Sequence, residues 1–165
     1  MNFVDKDLLS IQEARILMES ARDAGKTMLT FPQEKLDMIV EGLAKTAKEL
    51  AEELAVMSAE ETGYGRAKDK LVKNTFVCEF LPKHLQDMKC VGVLNENPLL
   101  KTMDVGVPVG VIVALTPSVS PVSTAIYNVL IAVKSGNPIV IAPHERAVKV
   151  TGRLLECITR QQPWW

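Results

Sequence analysis

The residues able to do chemistry in this 165-residue chain are few, and most of them fall in two short turns. The first is Thr116-Pro117-Ser118-Val119-Ser120-Pro121, the second Pro143-His144-Glu145-Arg146. Hydroxyls and free N–H groups at Ser120–Ser123, at the start of a helix, can meet an anion, although an ordinary helix cap looks the same. His144, beside Glu145 and Arg146, has the residue type to contact a ribose or phosphate or to act as a base. It equally suits a surface turn. His84, flanked by Lys83 in a helical stretch, reads as solvated. The three cysteines, Cys78, Cys90 and Cys157, form no CxxC pair and no cluster with histidine, so a structural zinc site is not expected. None stands at a strand end or next to a histidine, and each reads as a structural or spare thiol, not a nucleophile. No Gly-x-Gly-x-x-Gly follows a strand, and no Walker phosphate loop is present.

The elements that must position these turns follow from periodicity. The first half reads as helical. Ser10-Ile11-Gln12-Glu13 has the form of a capping box, which predicts a helix to about Ala24, with starts at Asp5 or Asp7 equally allowed. Thr30-Phe31-Pro32-Gln33 repeats the box with Pro in the first turn. From Leu36 through Ile39, Val40, Leu43, Ala47, Leu50 and Ala51 to Leu54, one apolar stripe at helical spacing predicts a second helix whose face is buried in a core. Gly63 and Gly65 end that pattern, and a third helix is expected from about Ala67 to Met88, with Pro82 a potential break. Around residues 91–107 two strands joined by a polar loop at Asn95-Glu96-Asn97-Pro98 predict a hairpin, apolar on both faces, suited to packing on something else.

The second half alternates strand and helix. The run from Val109 to Leu115, continuous and rich in β-branched residues, has the signature of a parallel strand buried on both faces. Ser120 with Pro121 then starts a helix that turns Ala125, Ile126, Val129, Leu130 and Val133 inward and stops at Gly136. Pro138–Ala142 is a second buried strand, and a last helix runs from about Arg146 to Arg160. A right-handed crossover makes the two strands parallel. Ligands of open α/β sheets bind beyond the carboxyl ends of the strands, where both turns lie, so topology alone selects them as the candidate site. The fold class is α/β: residues 1–88 as amino-terminal helices, 89–107 as a hairpin arm, and 108–165 as the first β-α-β-α of a Rossmann-like parallel sheet.

Composition adds exclusions. At 47% hydrophobic and 24% charged the chain matches ordinary globular proteins. A net charge of -1 gives no pull toward nucleic acid or a membrane surface. The acidic start MNFVDKDLLSIQEA is unlike a signal peptide, and no apolar run approaches the roughly 18 residues of a membrane span, so cytoplasmic placement with reduced thiols is expected.

The segment Gly106-Val107-Pro108-Val109-Gly110-Val111-Ile112-Val113-Ala114-Leu115-Thr116-Pro117 resembles the aldehyde dehydrogenase superfamily. With Thr124-Ala125-Ile126, the stretch Ile131–Asn137 and Ala142-Pro143-His144-Glu145-Arg146-Ala147, it resembles the CoA-acylating acetaldehyde dehydrogenase branch, over roughly residues 5–155. That resemblance implies oxidation of acetaldehyde or a related short aldehyde to acyl-CoA with reduction of NAD, and CoA as co-substrate. It implies that Thr116, Pro117, Ser118 and Ser120 lie by the nicotinamide and pyrophosphate, and that Pro143, His144 and Glu145 lie by the adenosine ribose. It makes the hairpin an oligomerisation arm, and hence a homo-oligomer, in the cytoplasm or in a bacterial microcompartment.

The sequence departs from the branch in three respects. Ser120 stands where the branch has Asn, and Val119 where hydrolytic relatives carry a catalytic Asn, so an amide donor for an oxyanion is missing. Glu145 replaces a Pro; it can bond a ribose hydroxyl and would repel a 2′-phosphate, which Arg146 and Lys149 would attract, so NAD is expected over NADP. The thiolate that the family's chemistry requires lies, by the resemblance, beyond residue 165, and Gln161-Gln162-Pro163-Trp164-Trp165 does not resemble the family's continuation. The expectation is a cofactor-domain fragment without catalysis of its own, associating through open sheet edges. The alternatives are a non-catalytic nucleotide-binding or assembly module and an inactive truncated gene product.

Overall fold

The computed structural model describes residues 5–160, so the expectation for residues 161–165 lies outside the described residues. The helical first half comprises α1 (Lys6–Met28), α2 (Gln33–Glu49), α3 (Ala51–Thr62) and α4 (Ala67–Leu85). A hairpin follows, β1 (Gly92–Asn97) with β2 (Thr102–Gly106). The rest is β3 (Ile112–Thr116), α5 (Pro121–Lys134), β4 (Ile139–Pro143), a 3-10 turn at Glu145–Ala147 and α6 (Val148–Arg160). The mixed α/β class agrees with expectation.

Neither capping box forms. Asp5 caps α1, its carboxylate accepting from the N–H groups of Asp7 and Leu8, while the Ser10 hydroxyl donates to the Lys6 carbonyl one turn back. Pro32, not Thr30, precedes α2, and the Thr30 hydroxyl bonds back to Thr27. In both cases a hydroxyl finds a nearer carbonyl within reach of its own backbone. The long stripe from Leu36 to Leu54 is split between two helices. At Leu50 the backbone (φ -95, ψ 0) interrupts the ladder, and α3 leaves on a new axis to pack on α4 and α6, with Ala51 and Leu54 still buried. Pro82 does not break α4, which continues through it to Leu85.

The hairpin turns later than expected: Asn95, Glu96 and Asn97 are strand residues, and the turn is at residues 98–101. Asn97 organises it, its side-chain oxygen accepting from the N–H groups of Leu99 and Leu100.

β3 and β4 pair in parallel, with Ile112 opposite Ile139 and Thr116 opposite Pro143. The expectation of burial on both faces is not met. Ala114 and Thr116 pack inward, but Val113 and Leu115 are 52% and 78% exposed. α5 packs on one face of the pair and α1 meets β4, while the outward side chains Val113 and Leu115 stay uncovered. One apolar cluster unites both halves of the chain: Ile39, Leu43 and Ala47 of α2, Leu54 of α3, Cys78 of α4, Ile126 and Leu130 of α5, and Val150, Leu154 and Ile158 of α6. α5 thus lies between the strand pair and helices α2 and α4 of the first half. No helix among the described residues is long and apolar enough to cross a membrane.

Candidate functional site

Each turn of the site begins where a strand ends, and the register of the pair brings the two ends together. Thr116 faces Pro143 across the ladder, and the His144 N–H donates to the Thr116 carbonyl at 3.1 Å. A single sheet edge therefore carries Thr116, Pro117 and Ser118 from one turn and Pro143, His144 and Glu145 from the other. The exposure of these residues is graded. Thr116 is buried, Ser118, Ser120 and Pro143 are half-buried, and Pro117, His144 and Glu145 are exposed. Alternation along β3 explains the first: Ala114 and Thr116 share the face turned to α5. The Thr116 hydroxyl is buried there with no hydrogen-bond partner. Ser58 and Thr151 carry hydroxyls in the same condition, so this is not peculiar to the turn.

Ser120 precedes α5 with Pro121 at the first helical position, as expected, but its side chain does not cap the helix. Its oxygen instead accepts from the Lys73 ammonium at 3.0 Å. The same turn is gripped a second time, because Lys70 donates from its Nζ to the Val119 carbonyl at 2.9 Å. Lys70 is 6% exposed, and burial, reinforced by neighbouring Lys73, holds its pKa below the usual lysine value.

At the second turn the imidazole of His144 accepts the Arg146 N–H at Nδ1, 3.1 Å away, and so caps the 3-10 turn that precedes α6. With Nδ1 engaged by the Arg146 N–H, Nε2 is the ring nitrogen left to meet a ligand. The expected start of the last helix at Arg146 shifts two residues to Val148, since Glu145–Ala147 is a 3-10 turn. The first turn of α6 is satisfied from α3: both carboxylate oxygens of Glu61 accept, from the N–H groups of Lys149 at 2.8 Å and Val150 at 2.7 Å. An Arg153–Glu53 pair at 2.8 Å adds a second tie between the same helices.

Glu61, Lys70 and Lys73 are the site-forming residues that the sequence reading missed. Each meets its turn across 47 to 89 residues of chain. A faint signal existed for Lys70: with Asn74 and Cys78 at i+4 and i+8 it stands on the buried stripe of α4, where a lysine without a partner would be costly. His84 is exposed, as expected.

The cysteines lie elsewhere. Cys78 is buried in the helical core, and burial pushes its thiol up to about 12. Cys90 is half-buried at the foot of the hairpin, where its N–H donates to Gln33, and Cys157 is half-buried on α6. Among the described residues no group of three or more His, Cys, Asp or Glu is arranged to hold a metal ion.

The sequence profile of the aldehyde dehydrogenase family matches residues 7–162. The bifunctional aldehyde-alcohol dehydrogenase AdhE of Escherichia coli (strain K12) is 33% identical over 149 residues, which is 90% of this chain and 17% of that protein. The succinate-semialdehyde dehydrogenase (acetylating) of Clostridium kluyveri is 35% identical over 153 residues, 93% of this chain and 33% of that protein. The chain thus spans between about a sixth and a third of the length of these curated relatives. Among solved structures, a probable aldehyde dehydrogenase from Listeria monocytogenes EGD-e superposes with a TM-score of 0.92 at 43% identity, over 95% of this chain and 35% of that one. A propionaldehyde dehydrogenase from Rhodopseudomonas palustris, solved with bound CoA and an acylated cysteine, gives 0.72 at 26% identity, over 88% and 33%.

Proposed function

This chain belongs to the aldehyde dehydrogenase family, and on that premise we propose that it forms part of the nicotinamide-cofactor domain of a CoA-acylating enzyme. The whole enzyme oxidises acetaldehyde or another short aldehyde to its acyl-CoA, with NAD reduced and CoA as co-substrate. The observation that carries the proposal is the single sheet edge on which Thr116 and His144 meet, in a chain whose curated relatives include an acetylating dehydrogenase.

The residues on that edge fit a dinucleotide. The half-buried Ser118 and Ser120 provide polar groups for the nicotinamide and pyrophosphate end, beside Thr116 at the end of β3. The Nε2 atom of His144, with Pro143 beneath it, and the exposed Glu145 carboxylate suit the adenosine ribose. A carboxylate at that position accepts from ribose hydroxyls and opposes a 2′-phosphate, which favours NAD over NADP. When bound, NAD supplies the hydride acceptor.

None of the three cysteines serves as the nucleophile in this reading. A thiol with a pKa of about 12, as at Cys78, holds essentially no thiolate at neutral pH, and Cys90 and Cys157 belong to neither turn. The chain by itself therefore binds cofactor and does not turn aldehyde over. The hairpin acts as a self-association arm, and the protein works in the cytoplasm or within a bacterial microcompartment.

Two assays on the 165-residue chain test the reading. Titration with NAD, followed by calorimetry or thermal shift, is expected to give saturable binding that His144→Ala weakens; no binding at millimolar NAD would overturn the cofactor assignment. NADH formation with acetaldehyde, CoA and NAD is expected to be absent. CoA-dependent activity would overturn the cysteine assignment, and Cys78, Cys90 and Cys157 would then be replaced one by one.

A further inference from the structure

We propose that Glu61 and Lys70, the charged side chains at the two ends of the α3–α4 connection, are positioning residues that set the spacing of the two cofactor turns. The inference rests on the reading of those turns as the cofactor edge. Gly63, Tyr64, Gly65 and Arg66 join α3 to α4, with Gly63 and Gly65 both in the left-handed region (φ 69 and 70) that allows so tight a reversal. On one side of this connection Glu61 binds the first turn of α6 through two N–H groups. On the other, Lys70 holds the Val119 carbonyl. The two turns themselves are joined directly by one backbone bond, from the His144 N–H to the Thr116 carbonyl. Among the described residues, the side chains that hydrogen-bond to residues 117–120 both come from α4, Lys70 and its neighbour Lys73. One connected pair of helices thus holds both the first turn and the head of the helix that follows the second.

The physical oddity is Lys70. An ammonium at 6% exposure, with no carboxylate among the described residues bonded to it and its pKa held down by burial, is a poor choice for stability. An apolar side chain of similar length would fill the same space without the desolvation cost. What an apolar side chain cannot do is hold the Val119 carbonyl. A packing role and a positioning role therefore predict opposite results for Lys70→Met. Packing predicts a chain at least as stable, with an unchanged turn. Positioning predicts a chain of similar stability whose turn is loose.

The test uses the 165-residue chain and its Lys70→Met, Lys70→Arg, Glu61→Ala and Gln33→Leu variants. Gln33→Leu is the control, a destabilising change far from both turns. Amide exchange is read at Thr124, whose N–H bonds the Ser120 carbonyl where the first turn enters α5, at His144, whose N–H joins the two turns, and at Lys149 and Val150. The expected result is exchange at least tenfold faster at Thr124 and His144 in Lys70→Met, restored by Lys70→Arg, with the unfolding midpoint little changed. Glu61→Ala should free Lys149 and Val150 in the same way. NAD affinity should fall about tenfold or more in Lys70→Met and Glu61→Ala, recover in Lys70→Arg, and remain at the native value in Gln33→Leu. Unchanged exchange at the turns in Lys70→Met, or faster exchange spread evenly over the chain, would overturn the inference. Absence of NAD binding by the unaltered chain would sink the cofactor reading instead, and the exchange measurement would still decide whether Lys70 and Glu61 hold the turns.

Discussion

Replacing Gln33 with leucine should loosen the hairpin before it unfolds the domain. Gln33 is 8% exposed and makes four hydrogen bonds that tie three elements together. Its Nε2 donates to Asp37 at 2.8 Å and to the Lys134 carbonyl at 3.2 Å, and its Oε1 accepts the N–H groups of Cys90 at 2.7 Å and Val91 at 3.1 Å. Leucine keeps most of the volume and removes all four. Asp37 loses least, because its carboxylate keeps the Lys134 ammonium at 2.7 Å. The Lys134 carbonyl and the two N–H groups at the foot of β1 lose their partner outright. Each orphaned group costs about 1 kcal/mol, at the low end of the usual range since Cys90 and Val91 are only half-buried and water can reach them. The sum is about 2–4 kcal/mol, which for a domain of this size lowers Tm by roughly 5–15 °C. Urea unfolding followed by far-ultraviolet circular dichroism measures the total. Amide exchange at Val93 and Val105, which face each other in β1 and β2, measures the local part. A stability loss below about 0.5 kcal/mol together with native exchange in the hairpin would refute the assignment of Gln33 as its anchor.

Two further outcomes follow from the same core and hairpin. Because the Cys78 thiol is raised from 9.0 to about 12, its neutral form contributes stability that is fully present below pH 9 and is lost as the pH climbs through 12. Relative to Cys78→Ala, the native chain should lose on the order of a few kcal/mol across that range, and at pH 8 a thiol reagent should leave Cys78 unmodified in the folded state; rapid labelling at pH 8 would contradict both. Gly106→Ala should cost about 2 kcal/mol or more, since a Cβ there would run into the Cys90 carbonyl, whose carbon would lie 2.8 Å away, and backbone has no rotamer by which to retreat. A Gly106→Ala chain as stable as the native one would show that the foot of the hairpin is free to shift.

Much of this architecture is written locally. The helix stop at Gly136 (φ 70), Pro121 at the head of α5, and the inward stripe Ala125, Ile126, Val129, Leu130 and Val133 are properties of neighbouring residues, so spacing alone reveals them. The same is true of the parallel pairing of β3 and β4, because a strand–helix–strand unit of this length closes in one hand. The position of both turns at one sheet edge follows from that topology, and the family resemblance follows from the residues in the turns.

Other features depended on partners that local sequence does not reveal. Ser10 and Thr30 have the residue types of helix caps, yet each hydroxyl bonds a carbonyl one turn back, a competition that spacing cannot rank. The bend at Leu50 exists because α3 must pack on α4 and α6, a demand arising outside the stripe that otherwise reads as one helix. Val113 and Leu115 have the composition of a buried strand, but burial depends on which element covers a face, not on the residues that form it. The grip of Lys70 on Val119 and of Glu61 on the head of α6 joins residues 49 and 88 or more positions apart. Residue types and spacing determined which side chains this protein offers to chemistry. Only the packed fold decided what holds them at their separation, because that separation is fixed by contacts between helices and turns with no local sequence relation.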